Sequence, residues 1–160
     1  MGSVPNLQLV VFALEDQRYA LHLSAVERIV RAVEMTPLPK APEIVIGVIN
    51  AQGRIIPVFN IRRRFHLPER EIELSDQLII ANTARRTVAL VVDTVDGVIE
   101  RLSEEITPAD QVLPRIEYVE GIVKLENGLV LIHDLDKFLS IDEETKLDEA
   151  VNKVKRINGR

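Results

Sequence analysis

The sequence predicts an all-β protein built from two similar halves, and three observations support that prediction. Hydrophobic residues make up 46% of the 160 positions, while aromatic residues make up only 4% and tryptophan is absent. A core dominated by Val, Ile and Leu favours strands, because β-branched side chains suit a pleated surface. Short apolar runs alternate with polar turns, and the same order of elements occurs twice along the chain.

The first half covers residues 9–65 and contains five predicted strands. In chain order these are Leu9–Leu14, 18–23, Ile29–Val33, Gly47–Asn50 and Arg54–Phe59. Strands one and two form a predicted hairpin, and so do strands four and five, which turn at Gln52 and Gly53. The segment 36–42 holds three prolines and is predicted to be a connection. A polar helical turn is predicted at 60–65.

The second half covers residues 77–139 and repeats this order. Its predicted strands are Leu78–Asn82, Val88–Val92, Val98–Leu102, Gly121–Leu125 and Leu129–Ile132. Asn127-Gly128 is a strong hairpin signal, because both residues tolerate the positive φ of a type I′ turn. About five short strands per half suit a small closed barrel, which leaves no exposed sheet edge. Residues 7–140 are therefore predicted to be one doubled domain.

Residues 141–160 are predicted to form a C-terminal amphipathic helix and tail. Ser140 and Glu143 have the spacing of a capping box. Leu147, Val151 and Val154 lie on one helical face at i, i+4 and i+7. We expect this face to pack on the protein's own barrels, and binding to a partner is the alternative.

Charge and composition exclude several classes of protein. The net charge is −5, with +3 in residues 1–65 and −8 in the remainder, so a broad basic surface for nucleic acid is not expected. This asymmetry favours a charged protein partner. Cysteine is absent, and no stretch approaches the ~20 apolar residues that span a bilayer. Without a recognisable signal peptide, we expect a cytoplasmic protein with no direct membrane insertion.

The search for catalytic chemistry gives one weak candidate. His133 and Asp134 are adjacent and suggest half of a metal-dependent hydrolase site, but no third ligand has a recognisable spacing. Asp93 and Asp96 are expected in a surface turn, as solvated carboxylates. Phosphate-binding, dinucleotide and nucleophile-elbow motifs are missing. We therefore predict a protein without catalytic activity or a cofactor.

Arg62-Arg63-Arg64 is the only run of basic residues in the chain. Two interpretations are open at this point. The run is either a solvated face of the short turn at 60–65 or a site that docks against an acidic protein surface. Nucleic-acid binding would require aromatic residues that stack on bases, and only Phe59 and Phe65 lie nearby.

The segment 47–62, Gly-Val-Ile-Asn-Ala-Gln-Gly-Arg-Ile-Ile-Pro-Val-Phe-Asn-Ile-Arg, resembles the signature of the CheW family of chemotaxis adaptors. Residues 26–29, 38–42, 91–93 and 118–121 add to the resemblance, which covers roughly 9–140. It implies a fold of two intertwined five-stranded SH3-like barrels. It also implies a non-catalytic adaptor that couples the cytoplasmic tip of methyl-accepting chemotaxis receptors to the regulatory domain of a CheA-type histidine kinase.

The same resemblance implies partner contacts at certain positions. Matching position by position, these are Val26, Ile29, Gly47, Leu78 and Ala89, and Arg62 matches a family arginine. Family members commonly have Glu where this chain has Arg28, and Arg where it has Gln52. Asn60 replaces the usual Asp. This pair of differences is either drift or a tuned specificity in which Arg28 or Arg54 supplies the replacement charge.

Two further hypotheses concern the setting of the protein. One is an adaptor in a chemotaxis-like system that controls pilus-driven surface motility or another output. The other is that the chain is the regulatory module of a larger signalling protein. Genes beside its own would distinguish the first, and the full reading frame would settle the second.

Overall fold

The computed structural model describes residues 6–112 and 118–158. Within these ranges the chain forms eleven strands, two α-helices and two single-turn 3-10 helices, at Leu23–Ala25 and Ser103–Glu105. The strands are β1 Asn6–Leu14, β2 Gln17–His22, β3 Val26–Arg31, β4 Val45–Ala51, β5 Arg54–Phe59, β6 Gln77–Asn82, β7 Thr87–Val92, β8 Thr94–Leu102, β9 Thr107–Pro108, β10 Val119–Leu125 and β11 Gly128–His133. The helices are α1 Ala109–Val112 and α2 Ile141–Asn158. All ten predicted strands are present, and α1 was not predicted.

The strands form two mixed sheets, and each sheet takes strands from both halves of the sequence. The first sheet has the order β8-β1-β2-β11-β10-β9, and the second has the order β3-β6-β7-β5-β4. If each strand is exchanged for its counterpart in the other half, the first five strands of one sheet become the other sheet. The all-β prediction with intertwined SH3-like barrels is thereby confirmed. The sequence halves 9–65 and 77–139 are not separate folding units.

The repeat is visible in the pairing between the halves. Val58 of β5 lies opposite Ala89 of β7 in a parallel pair. Ile132 of β11 lies opposite Ala20 of β2 in the equivalent parallel pair. Each sheet also contains two antiparallel hairpins, as the turn signals predicted. These are β1–β2 and β10–β11 in the first sheet, and β4–β5 and β6–β7 in the second.

Gly47 and Gly121, which align in the two halves, have the same role in the backbone. A β-bulge accompanies each glycine, at the start of β4 and of β10. The preceding segment crosses close to each one: a Cβ on Gly47 would lie 2.7 Å from the carbonyl oxygen of Thr36, and a Cβ on Gly121 would lie 3.3 Å from that of Thr107. Glycine is needed here because another backbone passes against the strand.

The largest apolar cluster lies between the two sheets and holds the buried rings of Phe12, Phe59 and Phe138. Helix α2 covers this cluster with Leu147 and Val151, which confirms the apolar stripe and the packing expected of it. Hydrophobic burial of this kind is worth about 1.5–3 kcal/mol for each large aliphatic side chain. Each sheet also has a smaller cluster of its own.

Charged contacts add to the packing of α2. Ser140 and Glu143 exchange the two hydrogen bonds of the predicted capping box, at 3.0 and 3.1 Å. Glu143 also pairs with Arg64, and Arg86 of the β6–β7 turn pairs with Glu144 at 2.9 Å. Along the described ranges, no helix is both long and apolar enough to cross a membrane.

Candidate partner-binding surface

The second sheet brings together all but one of the residues that the family resemblance implies for partner contact. Arg28 and Ile29 lie on β3, Gln52 lies in the β4–β5 turn, and Arg54 begins β5. All four have solvent-accessible side chains. We call them, with Glu27 of β3, the β3 surface.

An ion pair joins the β4–β5 turn to β3. Both guanidinium Nη atoms of Arg54 donate to the carboxylate of Glu27, at 3.2 and 2.5 Å. The hydrogen bond from Arg54 lowers the pKa of Glu27, and the same bond raises the pKa of Arg54. A bidentate ion pair of this kind fixes the orientation of the two side chains as well as the distance between them. It therefore holds Gln52 beside β3.

The turn itself is preorganised. Gln52 and Gly53 have φ values of 54° and 80°, as a type I′ hairpin turn requires at both central positions. Gly53 donates its backbone N–H to the side-chain oxygen of Asn50 at 3.1 Å. The exposed amide of Gln52 is consequently presented on a rigid hairpin tip.

The other implied contact residues of this sheet lie deeper. Leu78 and Ala89 have no exposed surface and belong to the small apolar cluster inside the sheet. Gly47 is buried against the crossing segment, and Val26 is half-buried against the large cluster. These four shape the strands that carry the β3 surface. In this conformation Leu78 and Ala89 offer nothing for a partner to touch.

Arg62 lies outside the β3 surface and is only 5% exposed. Its guanidinium donates to the carboxylates of Glu15 and Asp93 and, at 3.1 Å, to the backbone oxygen of Pro68. Interpreting the arginine run as a solvated face is therefore wrong for Arg62. The interpretation as a docking site would require its internal bonds to break. Its neighbour Arg63 is exposed and fits the solvated interpretation.

Two more residues complete what we call the Arg62 network, which consists of Glu15, Arg62, Arg70, Asp76 and Asp93. Arg70 donates to Asp76 at 2.6 Å and to Asp93 at 2.7 Å. Burial opposes ionisation of Asp93, but hydrogen bonds from the Glu15 backbone and Arg62 outweigh it and lower its pKa. The expectation that Asp93 is a solvated carboxylate is wrong. Its partners are 23 to 78 positions away in sequence, so no local spacing signals them.

The His133–Asp134 pair does not form a catalytic site. His133 is buried at the junction of the sheets, with its ring centroid 5.2 Å from that of Phe65 and 5.7 Å from that of Phe138. Neither ring nitrogen has a hydrogen-bond partner, and burial lowers the pKa of His133 to about 3. No cluster able to hold a metal ion occurs within the described residues. The hypothesis of a hydrolase site at His133 and Asp134 is therefore wrong, because an enclosed histidine cannot reach a substrate.

Comparison with known proteins gives a consistent result. The model of the CheW-like domain matches residues 8–143. The chain is 32% identical over 148 residues to the chemotaxis protein CheW of Treponema pallidum (strain Nichols), covering 89% of this chain and 87% of that protein. A crystal structure of the scaffolding protein TtCheW from Thermoanaerobacter tengcongensis superposes with a TM-score of 0.78 at 30% identity, covering 87% of this chain and 96% of that one.

A shorter similarity joins the chain to a differently named protein. Protein FrzA of Myxococcus xanthus is 29% identical over 93 residues, which covers 58% of each chain.

Proposed function

The chain belongs to the CheW-like family of chemotaxis adaptors, and from that premise we propose that it couples methyl-accepting chemotaxis receptors to a CheA-type histidine kinase. The observation that carries this proposal is the match of the family model to residues 8–143, which includes all eleven strands except the first two residues of β1. The similarity therefore extends over the whole doubled domain and both of its sheets.

The geometry supports a protein that acts by binding other proteins. The β3 surface presents charged, polar and aliphatic side chains on a rigid edge strand and hairpin tip. Polar and charged side chains around the exposed Ile29 suit a protein partner, since an aliphatic contact contributes burial while the polar groups fix the register. The family's members act as scaffolds without catalysis, and we propose the same here, with no cofactor.

We propose that the accessible residues Arg28, Ile29, Gln52 and Arg54 make direct contact with partners. Val26, Gly47, Leu78 and Ala89 support them from within the sheet, and Arg62 acts through the orientation of the barrels. We further propose a cytoplasmic protein recruited to receptor arrays at the membrane through these contacts.

Binding experiments with purified components test the proposal. The full chain is mixed with a CheA regulatory domain and with a receptor cytoplasmic fragment, both encoded near its own gene. We expect the chain to bind each one separately and to bring the two together in one complex. If the chain binds neither component, coupling is not its function.

The partial similarity to FrzA supports a second proposal, an adaptor in a chemotaxis-like system for surface motility or another output. The same binding assay, run with receptor and kinase candidates from each system of the host, separates the two proposals. Preference for components encoded beside pilus genes would favour the second one.

A further inference from the structure

The β10–β11 turn carries a pair of residues whose chemistry an adaptor does not use. Asn127 is followed directly by Gly128, and both residues are exposed. An asparagine before glycine can lose its side-chain amide, because the next backbone nitrogen attacks the amide carbon when no side chain stands in the way. A Cβ built on Gly128 would meet nothing within 4 Å, so the space beside this backbone is open.

Arg18 of β2 binds the side chain of Asn127. Its Nη1 atom donates to Oδ1 of Asn127 at 3.0 Å. A guanidinium bonded to an amide oxygen draws electron density from the adjoining carbon, and it stabilises the negative charge that the oxygen gains when that carbon is attacked. The contact therefore has the geometry of a single oxyanion donor at an exposed site.

The side-chain oxygens of three other asparagines accept hydrogen bonds from uncharged groups. Asn50 and Asn60 each accept a backbone N–H at 3.1 Å, and Asn82 accepts a hydroxyl group at 2.6 Å. None of these three is followed by glycine. Asn127 thus combines an exposed Asn-Gly pair with a cationic donor on the amide oxygen.

We propose that Asn127 is a site of spontaneous deamidation that Arg18 activates. The backbone N–H of Gly128 gives its proton to hydroxide, the nitrogen forms a bond to Cγ of Asn127, and the Cγ–Nδ2 bond breaks. Ammonia leaves with a proton taken from water, and a cyclic imide remains. Water then adds to one of the two imide carbonyls and opens the ring to aspartate or isoaspartate.

The reaction changes both the charge and the backbone of the hairpin. Attack on Asn127 requires the turn to open locally, and exposed hairpin tips open at little cost in free energy. Either product adds a negative charge within reach of Arg18, which competes with Asp96, whose Oδ2 lies 3.6 Å from Nε of Arg18. The isoaspartate product also inserts a backbone carbon next to Gly128, the residue that pairs with Leu125, and so disturbs the register of the hairpin.

Peptide mapping of the purified full chain tests the proposal. The chain is incubated in mildly alkaline buffer and then digested with trypsin, which cuts after Lys124 and Lys137. Asn127 is the only asparagine in the resulting peptide 125–137, while the second Asn-Gly pair of the sequence falls in the separate peptide 157–160. We expect peptide 125–137 to accumulate both acidic products, identified against synthetic standards, and to do so faster as the pH rises.

Replacing Arg18 separates its activation from the ordinary reactivity of an Asn-Gly pair. We expect Arg18→Met to slow the conversion about two- to fivefold, the size of effect that an exposed charged contact produces. Arg101→Met is the matched control, because it makes the same change in net charge. Arg101 lies on β8 of the same sheet and donates to a backbone oxygen at 2.7 Å, so its loss should leave the rate unchanged. Circular dichroism of each variant verifies the fold.

A denatured reference completes the experiment. In urea Arg18 no longer lies beside Asn127, so the unmodified chain and Arg18→Met should react at equal rates. If folded Asn127 stays intact over the period in which the denatured chain is converted, it is not a deamidation site. Equal or faster conversion in folded Arg18→Met, an equal slowing in Arg101→Met, or a difference that persists in urea would each overturn the role of Arg18. None of these results involves a receptor or kinase, so the inference and the proposed function stand or fall separately.

Discussion

Replacing Arg62 tests whether an internal ion network, and not a solvated arginine run, holds the two sheets in place. We consider Arg62→Met, which keeps most of the side-chain volume and removes the charge. The substitution deletes the hydrogen bonds to Glu15, Asp93 and the Pro68 carbonyl. Breaking a buried pair by removing one partner typically costs 3–5 kcal/mol.

The structure places the expected loss below that range. Asp93 keeps the Glu15 backbone N–H at 2.8 Å and Arg70 at 2.7 Å, so its charge is not left unpaired. The side chain of Glu15 is 44% exposed and can return to water. What is lost is chiefly the charge-assisted bond to Asp93, together with the packing of Arg62. We therefore expect a loss of about 2–3 kcal/mol in the free energy of unfolding.

Urea denaturation measures this loss. With a slope of about 2 kcal/mol per molar, the midpoint should fall by about 1–1.5 M. The matched control is Arg63→Met, because Arg63 is 41% exposed and pairs with the exposed Glu43 and Glu69. It should change stability by less than about 0.5 kcal/mol. Equal effects at Arg62 and Arg63, or no effect at Arg62, would refute this account of the network.

Three further predictions concern other parts of the molecule. Gly47→Ala and Gly121→Ala should each cost about 1–3 kcal/mol, because the new Cβ meets the Thr36 carbonyl oxygen at 2.7 Å in the first case and the Cγ2 methyl of the β-branched Ile106 at 2.6 Å in the second; an unchanged urea midpoint for either variant would contradict this. His133 has a folded pKa of about 3 against 6.5 unfolded, so protonation of the unfolded chain lowers stability as pH falls below 6.5. When the pH is lowered from 7 to 5, the free energy of unfolding of His133→Leu should therefore rise by about 2 kcal/mol relative to that of the unmodified chain. If the difference in stability between the two proteins is the same at both pH values, the burial argument is wrong. Gln52→Arg, alone or with Arg28→Glu, should raise the affinity for partners of adaptors that have the usual family residues, measured by calorimetry, and an unchanged affinity would leave drift as the explanation.

The sequence predicts the strands well because their signals are local. The hairpin turn at Gln52-Gly53 has the positive φ values that this pair of residues predicts. The second hairpin forms where Asn127-Gly128 predicts it, but its central residues are Glu126 and Asn127, neither of which has a positive φ, and Gly128 begins β11 with a φ of 146°. Helix α2 is equally local, since its cap and apolar stripe lie within one segment. The short helix α1 has no such stripe, and four residues give no detectable period.

The candidate site is less predictable because its properties depend on distant partners. Position matching identifies Arg28, but only the structure shows that Arg54 binds Glu27 and leaves Arg28 unpaired. Whether Arg62 is exposed depends on Glu15 and Asp93, which belong to other turns. Residue type and spacing predict which kinds of side chain lie at a surface. Ion pairs with residues distant in sequence decide which of those side chains remain free to contact a partner.

The intertwined topology gives the Arg62 network its place in the function. The chain passes between the sheets where β7 of the second sheet leads into β8 of the first, and Asp93 lies in that step. Glu15 lies in the β1–β2 turn of the first sheet, and Arg62 follows β5 of the second. Bonds among these three residues therefore connect one sheet to the other. An adaptor that holds two partners at once, as proposed above, needs a fixed angle between its two sheets. Loosening the Arg62 network should accordingly weaken assembly of the ternary complex more than binding of either partner alone, which a comparison of pairwise and three-component binding by the Arg62→Lys variant measures.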